Sequence, residues 1–200
     1  MERLGIIGGT FDPIHLAHLY IAQEAKETLK LDKIIFMPAG SQPLKIDKEV
    51  TEASLRFSMV KEAIEGRDGF EVSDYEIKKE GMSYTFETLE HFSKRDREIY
   101  FIVGADCLIN LEKWKGIESI FQLCKLVVFN RPGYKHESLL KQKDYLEEKY
   151  SGEIIILNLE ELDISSTDIR EAINLGEDIS RLIPKKVIEV IKKKNLYGED

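Results

Sequence analysis

A chain of 200 residues with 42% hydrophobic content can bury a sizeable core without disulfides or a structural metal, and it falls in the size range of one domain, here residues 1–200. Its formal net charge of −8 argues against a nucleic-acid polymer as partner, because a phosphate backbone demands a concentrated basic face. Cys107 and Cys124 stand far apart and in no C-x-x-C arrangement, which argues against a disulfide framework or a zinc ribbon; no apolar run approaches a membrane span and no basic leader precedes an apolar cleavage region, so a cytoplasmic address without a membrane partner is expected.

Residues 4–7 form a short apolar run of the buried-strand type. The first predicted helix follows, with Ile14, Ala17, Ile21, Ala25 and Leu29 on one face and Glu24, Lys26 and Glu27 free to face water. Residues 34–37 read as the second strand. The stretch 38–49, with Gly40, Pro43 and several charges, reads as a long loop that orders on binding and is a candidate lid. A helix is predicted over 53–65, an edge strand or excursion over 70–78, and a helix over 85–94. Strands at 99–103, 126–129 and 154–157 alternate with helices at 117–123, 136–149 and 166–175. A last helix covers 184–194, where Pro184 suits a first turn and Lys192, Lys193 and Lys194 suit the negative end of the dipole. Strands alternating with helices imply a doubly wound, mostly parallel α/β sheet with helices on both faces, whose ligands gather beyond the carboxyl ends of the strands.

The chemistry concentrates in the string from Gly8 to His18, Gly-Gly-Thr-Phe-Asp-Pro-Ile-His-Leu-Ala-His, between the first strand and first helix. Gly8 and Gly9 permit close approach of backbone to a ligand, and Asp12 and Pro13 suit an N-cap and an early helical position. His15 and His18, three residues apart, can aim both rings at one point. A helix N-terminus offers N–H groups and positive dipole, so the string suits phosphate, with the histidines donating to oxygens that gain charge during transfer. The alternatives are a metal-binding histidine pair, for which no third ligand stands at zinc spacing, and solvent-facing or capping histidines. The string is neither a P-loop nor G-x-G-x-x-G.

Four further segments carry candidate chemistry. Ser165, Ser166, Thr167, Asp168 and Arg170 combine an S-x-x-D helix opening with an arginine that can reach the anion faced by the helix N-terminus; an ordinary capping box with a solvated arginine is the alternative. Ser83, Tyr84, Thr85 and Phe86 open the helix at 85. Trp114 is the only tryptophan. Gly104 and Asp106 follow a strand end, where Asp106 can accept hydrogen bonds from a ligand or can simply cap a helix. Cys107 has no evident activating partners in sequence and is assigned to packing, and His91 and His136 to exposed helix positions.

On the Gly8 to His18 string the chain resembles the H-x-G-H nucleotidyltransferase superfamily and, within it, the bacterial nicotinate-mononucleotide adenylyltransferases. Ala17 stands where the family has glycine between the histidines; with negative φ its methyl is tolerated, whereas positive φ would strain it. Residues 164–170 resemble the family's I-S-S-T-x-I-R motif, residues 83–89 its S-Y-T-x-x-T-L segment, and Trp114 its K-W segment. The resemblance implies a Rossmann-like fold and adenylyl transfer from ATP to nicotinate mononucleotide, giving deamido-NAD and pyrophosphate. It implies that His15, His18, Lys45 and Arg170 act on the phosphates and that Gly8, Gly9, Thr10, Phe11, Gly104, Asp106, Ser165 and Ser166 bind ATP. Tyr84, Thr85 and Trp114 would hold the mononucleotide, the α-helix opening at Thr85 favouring a carboxylate over a carboxamide. Mg²⁺ would travel with ATP, held by phosphate oxygens and water. Arg131, in an R-P-G segment, has a family-like position or is a turn arginine, and the resemblance is compatible with a homodimer. The rival readings are a superfamily member using nicotinamide mononucleotide or phosphopantetheine, and a nucleotide sensor without turnover.

Overall fold

The computed structural model describes residues 1–40, 50–79, 81–130, 136–160 and 162–198. Among these, six strands form one sheet: β1 (Glu2–Gly9), β2 (Lys33–Pro38), β3 (Phe70–Val72), β4 (Arg97–Gly104), β5 (Lys125–Phe129) and β6 (Ile154–Leu157). Their order across the sheet is β3-β2-β1-β4-β5-β6, and every neighbouring pair is parallel. The expected doubly wound parallel sheet is therefore present, with residues 70–72 as its edge strand and residues 75–78 turned out of it as a short helix.

Both faces of the sheet are covered, and alternation along the strands assigns each side chain to one of them. Ile7, Ile34, Phe36, Ile102, Val127 and Phe129 pack on one side against α1 (Leu16–Thr28), α2 (Ala53–Ile64), α8 (Ser166–Asn174) and α9 (Lys185–Lys194). Their neighbours Ile6, Ile35, Phe101, Leu126 and Val128 pack on the other, under α4 (Thr85–Phe92), α5 (Ala105–Ile109), α6 (Ile117–Leu123) and α7 (His136–Tyr150), with the short α3 (Tyr75–Lys78) beside β2. The interiors of β1, β2, β4 and β5 are thus buried on both sides, which is why residues 4–7 and 126–129 read as continuous apolar runs. α5 and a 3-10 turn at Leu111–Lys113 were not legible as elements, being too short to show a period.

The topology fixes where a ligand goes. The chain leaves β1 toward β2 on one side and returns to β4 on the other, so the carboxyl ends of β1 and β4 flank the point where the winding reverses. The β1–β4 register, with Ile7 opposite Ile102, brings the glycines that end the two strands to the same edge.

Candidate active site

The expectation that Asp12 and Pro13 start the first helix is corrected by the structure. The Asp12–Pro13 peptide is cis, His15 is the extended N-cap (φ −141°, ψ 174°), and α1 begins at Leu16. The Asp12 carboxylate is used elsewhere, accepting from the Thr51 amide at 3.2 Å and the Tyr197 hydroxyl at 2.7 Å. A local N-cap was the natural reading of Asp-Pro, but the partners that claimed the carboxylate come from residues 39 and 185 positions away.

The helix start is organised by its two histidines. The His15 amide donates to His18 Nδ1 at 3.3 Å, so His18 fills the place that Glu or Gln takes in a capping box. A neutral ring accepting at Nδ1 carries its proton on Nε2, which makes that nitrogen a donor. The rings stack with centroids 3.7 Å apart, and the Phe11 ring meets His18 edge-on at 5.0 Å. His15 is buried and His18 half-buried. α1 has no acidic residue in its first turn, leaving the positive end of its dipole uncompensated by its own side chains. Ala17 lies within α1 and outside the positive-φ residues, so its methyl group introduces no backbone strain.

Phe11 does have positive φ, 51°, although it is almost fully buried. A bulky residue in this conformation typically costs about 1–3 kcal/mol and persists only where its surroundings hold it. Its ring explains Gly9: a Cβ there would lie 2.9 Å from Phe11, so this glycine makes room for the phenyl ring as well as for any ligand. A Cβ on Gly8 would make only ordinary contact, 3.4 Å from Phe101.

The distant C-terminal motif docks on this loop. The S-x-x-D opening is realised, with Ser165 Oγ accepting from the Asp168 amide at 3.1 Å and donating to its carboxylate at 2.6 Å. Ser166 Oγ donates to the Pro13 carbonyl at 2.9 Å. Arg170 Nη1 donates to the Asp12 carbonyl at 2.8 Å and to Ser166 O at 3.2 Å, so the guanidinium sits against the loop that carries the histidines. Across the reversal point, Gly104 is the N-cap of α5 and places Asp106 in its first turn, beside the end of β1. Cys107 lies next to it, partly buried against the α4–α7 face, as the packing assignment expects.

The second cluster lies on that face. Tyr84 is the N-cap of α4 and Thr85 its first residue. The Lys115 ammonium lies 4.3 Å from the centre of the Tyr84 ring, close enough for a cation–π contact, and so joins the α4 opening to the segment bearing Trp114. The indole meets Phe101 edge-on at 6.4 Å. Gly116 sits between them at φ 73°, where a Cβ would lie 2.8 Å from Phe86; both backbone conformation and space require glycine. His91 and His136 are exposed. Two hollows among the described residues lie elsewhere. One, bounded by Lys33, Glu71, His91, Lys94 and Arg97, is at the amino ends of the strands and its charges are largely paired, Lys33 with Glu71 and Arg97 with Glu2.

A cytidylyltransferase-like family model matches residues 6–172. A protein of Clostridium botulinum (strain Eklund 17B / Type B) named "Probable nicotinate-nucleotide adenylyltransferase" is 56% identical over the whole of both chains, and one of Clostridium tetani with the same name is 53% identical over 98% of this chain and all of its own. The chain belongs to the nicotinate-nucleotide adenylyltransferase family. Its fold is also that of the Plasmodium falciparum nicotinic acid mononucleotide adenylyltransferase complexed with NaAD, with a TM-score of 0.81, 23% identity and 98% of each chain covered. The same protein complexed with APC gives a TM-score of 0.77 and 22% identity over 98% of each chain.

This adenylyltransferase carries site residues that sequence reasoning missed. Arg56 is only 3% exposed, and its guanidinium donates to three backbone carbonyls: Thr51 at 2.8 Å, Thr10 at 2.6 Å and Ala39 at 2.8 Å. It ties the loop after β1, the end of β2 and the approach to α2 into one unit. A signal for it existed: Arg56, Met59, Val60 and Ala63 share the buried face of α2, so an arginine occupies a core position of the helical period. Thr51 and Tyr197 offered no such pattern. Lys45 and Arg131 lie outside the described residues, as does most of the candidate lid.

Proposed function

We propose that this chain transfers the adenylyl group of ATP to nicotinate mononucleotide in NAD biosynthesis, forming deamido-NAD and pyrophosphate. The observation that carries the reading is the convergence, at the N-terminus of α1, of a stacked His15–His18 pair with Arg170, which reaches the Asp12 carbonyl from α8. In the reaction a phosphate oxygen of the mononucleotide forms a bond to the α-phosphorus of ATP while the bond from that phosphorus to the bridging oxygen of the β-phosphate breaks, and pyrophosphate leaves with the electron pair. No covalent intermediate on the protein is needed.

In this mechanism the protein positions the groups and offsets charge. His15 and His18 donate to oxygens of the transferred phosphate, and the α1 N-terminus supports them. Arg170 and Lys45 offset charge on the departing pyrophosphate, together with Ser165 and Ser166. Gly8, Gly9, Thr10, Phe11, Gly104 and Asp106 form the ATP side of the cleft at the reversal point. Tyr84, Thr85 and Trp114 hold the mononucleotide, the amide groups opening α4 receiving the pyridine carboxylate and the indole stacking on the ring. Magnesium enters on ATP as part of the substrate, carried by phosphate oxygens and water. Residues 1–200 act as one catalytic domain, and a cytoplasmic location fits this biosynthetic role.

The helical backbone at Ala17 favours a catalytic chain over a sensor that binds ATP without turnover. The test is pyrophosphate release from ATP with nicotinate and nicotinamide mononucleotides in parallel. Release with nicotinate mononucleotide in preference to the amide is expected. Preference for the amide would overturn the substrate, and no release with either would overturn the activity.

A further inference from the structure

Asp12 is the point at which four separate segments meet. Its carbonyl accepts from Arg170 of α8; one carboxylate oxygen accepts from the Thr51 amide, and the other from the hydroxyl of Tyr197, beyond α9. The carboxylate is buried, 6% exposed, so these bonds form where water competes poorly and a donor to a charged acceptor counts most. Immediately before it stands Phe11, held at positive φ with its ring edge against His18.

The end of the chain is shaped to deliver the phenol. α9 closes at Asn195 in the left-handed conformation, the Leu196 amide returns to Ile191 O at 3.0 Å, and Tyr197 itself has φ 64°. A tyrosine at positive φ is a backbone outlier of the kind that persists only when its contacts hold it there. Here the contacts are Asp12, the Met59 sulfur at 4.0 Å, and the apolar cluster under α1 and α2. Burial first, and then the bond to Asp12, push the phenol above its ordinary pKa, so it keeps its proton and remains the donor.

We propose that Tyr197 is a positioning residue for adenylyl transfer, acting through Asp12 to hold the loop that carries His15 and His18 in register with Arg170. This rests on the proposed function, and it extends the working site to the last turn of the chain. Its contribution belongs to the transition state, because a loop displaced by a fraction of an ångström still binds substrates but misplaces donors on the transferring phosphate.

The experiment is Tyr197→Phe in the full chain, alone and combined with Asp12→Ala. Pyrophosphate release is expected to fall about tenfold in kcat with KM for ATP and for nicotinate mononucleotide within about twofold of wild type, while the chain stays folded with its melting temperature lowered by about 3–10 °C. In the Asp12→Ala background, where the acceptor is gone, the same substitution is expected to change kcat by less than about twofold, the non-additivity required of residues acting through one contact. Amide exchange in residues 11–15 is expected to quicken in Tyr197→Phe. Unchanged kcat and unchanged exchange, the full tenfold loss persisting in Asp12→Ala, or loss of the fold in Tyr197→Phe would each overturn the proposal. A wild-type chain that releases no pyrophosphate would instead remove the proposed reaction, and the exchange measurement would then decide alone whether Tyr197 holds the loop.

Discussion

The Arg170 guanidinium donates to the backbone carbonyl of Asp12 at 2.8 Å, across 158 positions of sequence. Through that bond a helix near the end of the chain takes its position from the loop that follows the first strand. Arginine suits this place because its planar fork can hold a carbonyl with one edge and offer further N–H groups to an anion, which a lysine ammonium does less well. Arg170→Lys is expected to lower kcat/KM for ATP by about 10- to 100-fold while the chain stays folded. Steady-state kinetics with circular dichroism checks this, and a change of less than about threefold would mean that only the charge matters.

His18 is held by a bond to its Nδ1 and by two ring contacts, so its Nε2 donor is fixed in direction before substrate arrives. Loss of one such preorganised donor typically lowers turnover by about 100-fold or more. His18→Ala is expected to lose that much in kcat with an intact fold, read from single-turnover pyrophosphate release. Near-normal turnover would exclude the assigned role.

Arg56 is buried, and burial holds its pKa below the usual arginine range, yet its three carbonyl partners fix it in place. Arg56→Leu strands those carbonyls without a donor, and a loss of stability on the order of 3–5 kcal/mol is expected. Urea denaturation measures it. A loss below about 1 kcal/mol would show that the three segments are held together without the guanidinium.

Glu76 gives a pH dependence. Burial raises its pKa, opposed by the Thr88 hydroxyl donating at 2.7 Å, by Lys79 and by the Gly40 amide. The folded chain therefore holds this proton at pH values where the unfolded chain has released it. Stability linked to Glu76 is present below the ordinary value of 4.5 and declines as pH rises through that value toward the raised one. Glu76→Gln removes the titration, so the variant is expected to be more stable relative to wild type at about pH 8 than at about pH 4, as the pH rises from below the ordinary value. Denaturation at the two pH values decides it, and a difference that does not move with pH would exclude the burial effect.

Much of the fold was legible because its signals are local. Strands buried on both faces announce themselves as apolar runs such as residues 126–129, and the S-x-x-D opening of α8 is a contact between residues three apart. The site was legible in part for the same reason: His15 and His18 lie on one turn, and the strand-to-helix context fixed what that turn offers. Residues 70–78 were ambiguous because a three-residue strand and a four-residue helix are too short to display a period.

The sequence alone determined the strand and helix alternation, the histidine pair and the cap that presents Arg170, since each depends on neighbours within a turn or on a repeating pattern of burial. Only the tertiary structure decided that Asp12 would serve Thr51 and Tyr197 in place of the α1 N-terminus, that Arg56 would hold three carbonyls, and that β1 and β4 would flank the reversal point. Those outcomes are set by competition among partners distant in the chain: a buried carboxylate or guanidinium goes to whichever donors or acceptors the packed strands and helices bring within hydrogen-bond reach, and no local pattern records which those are.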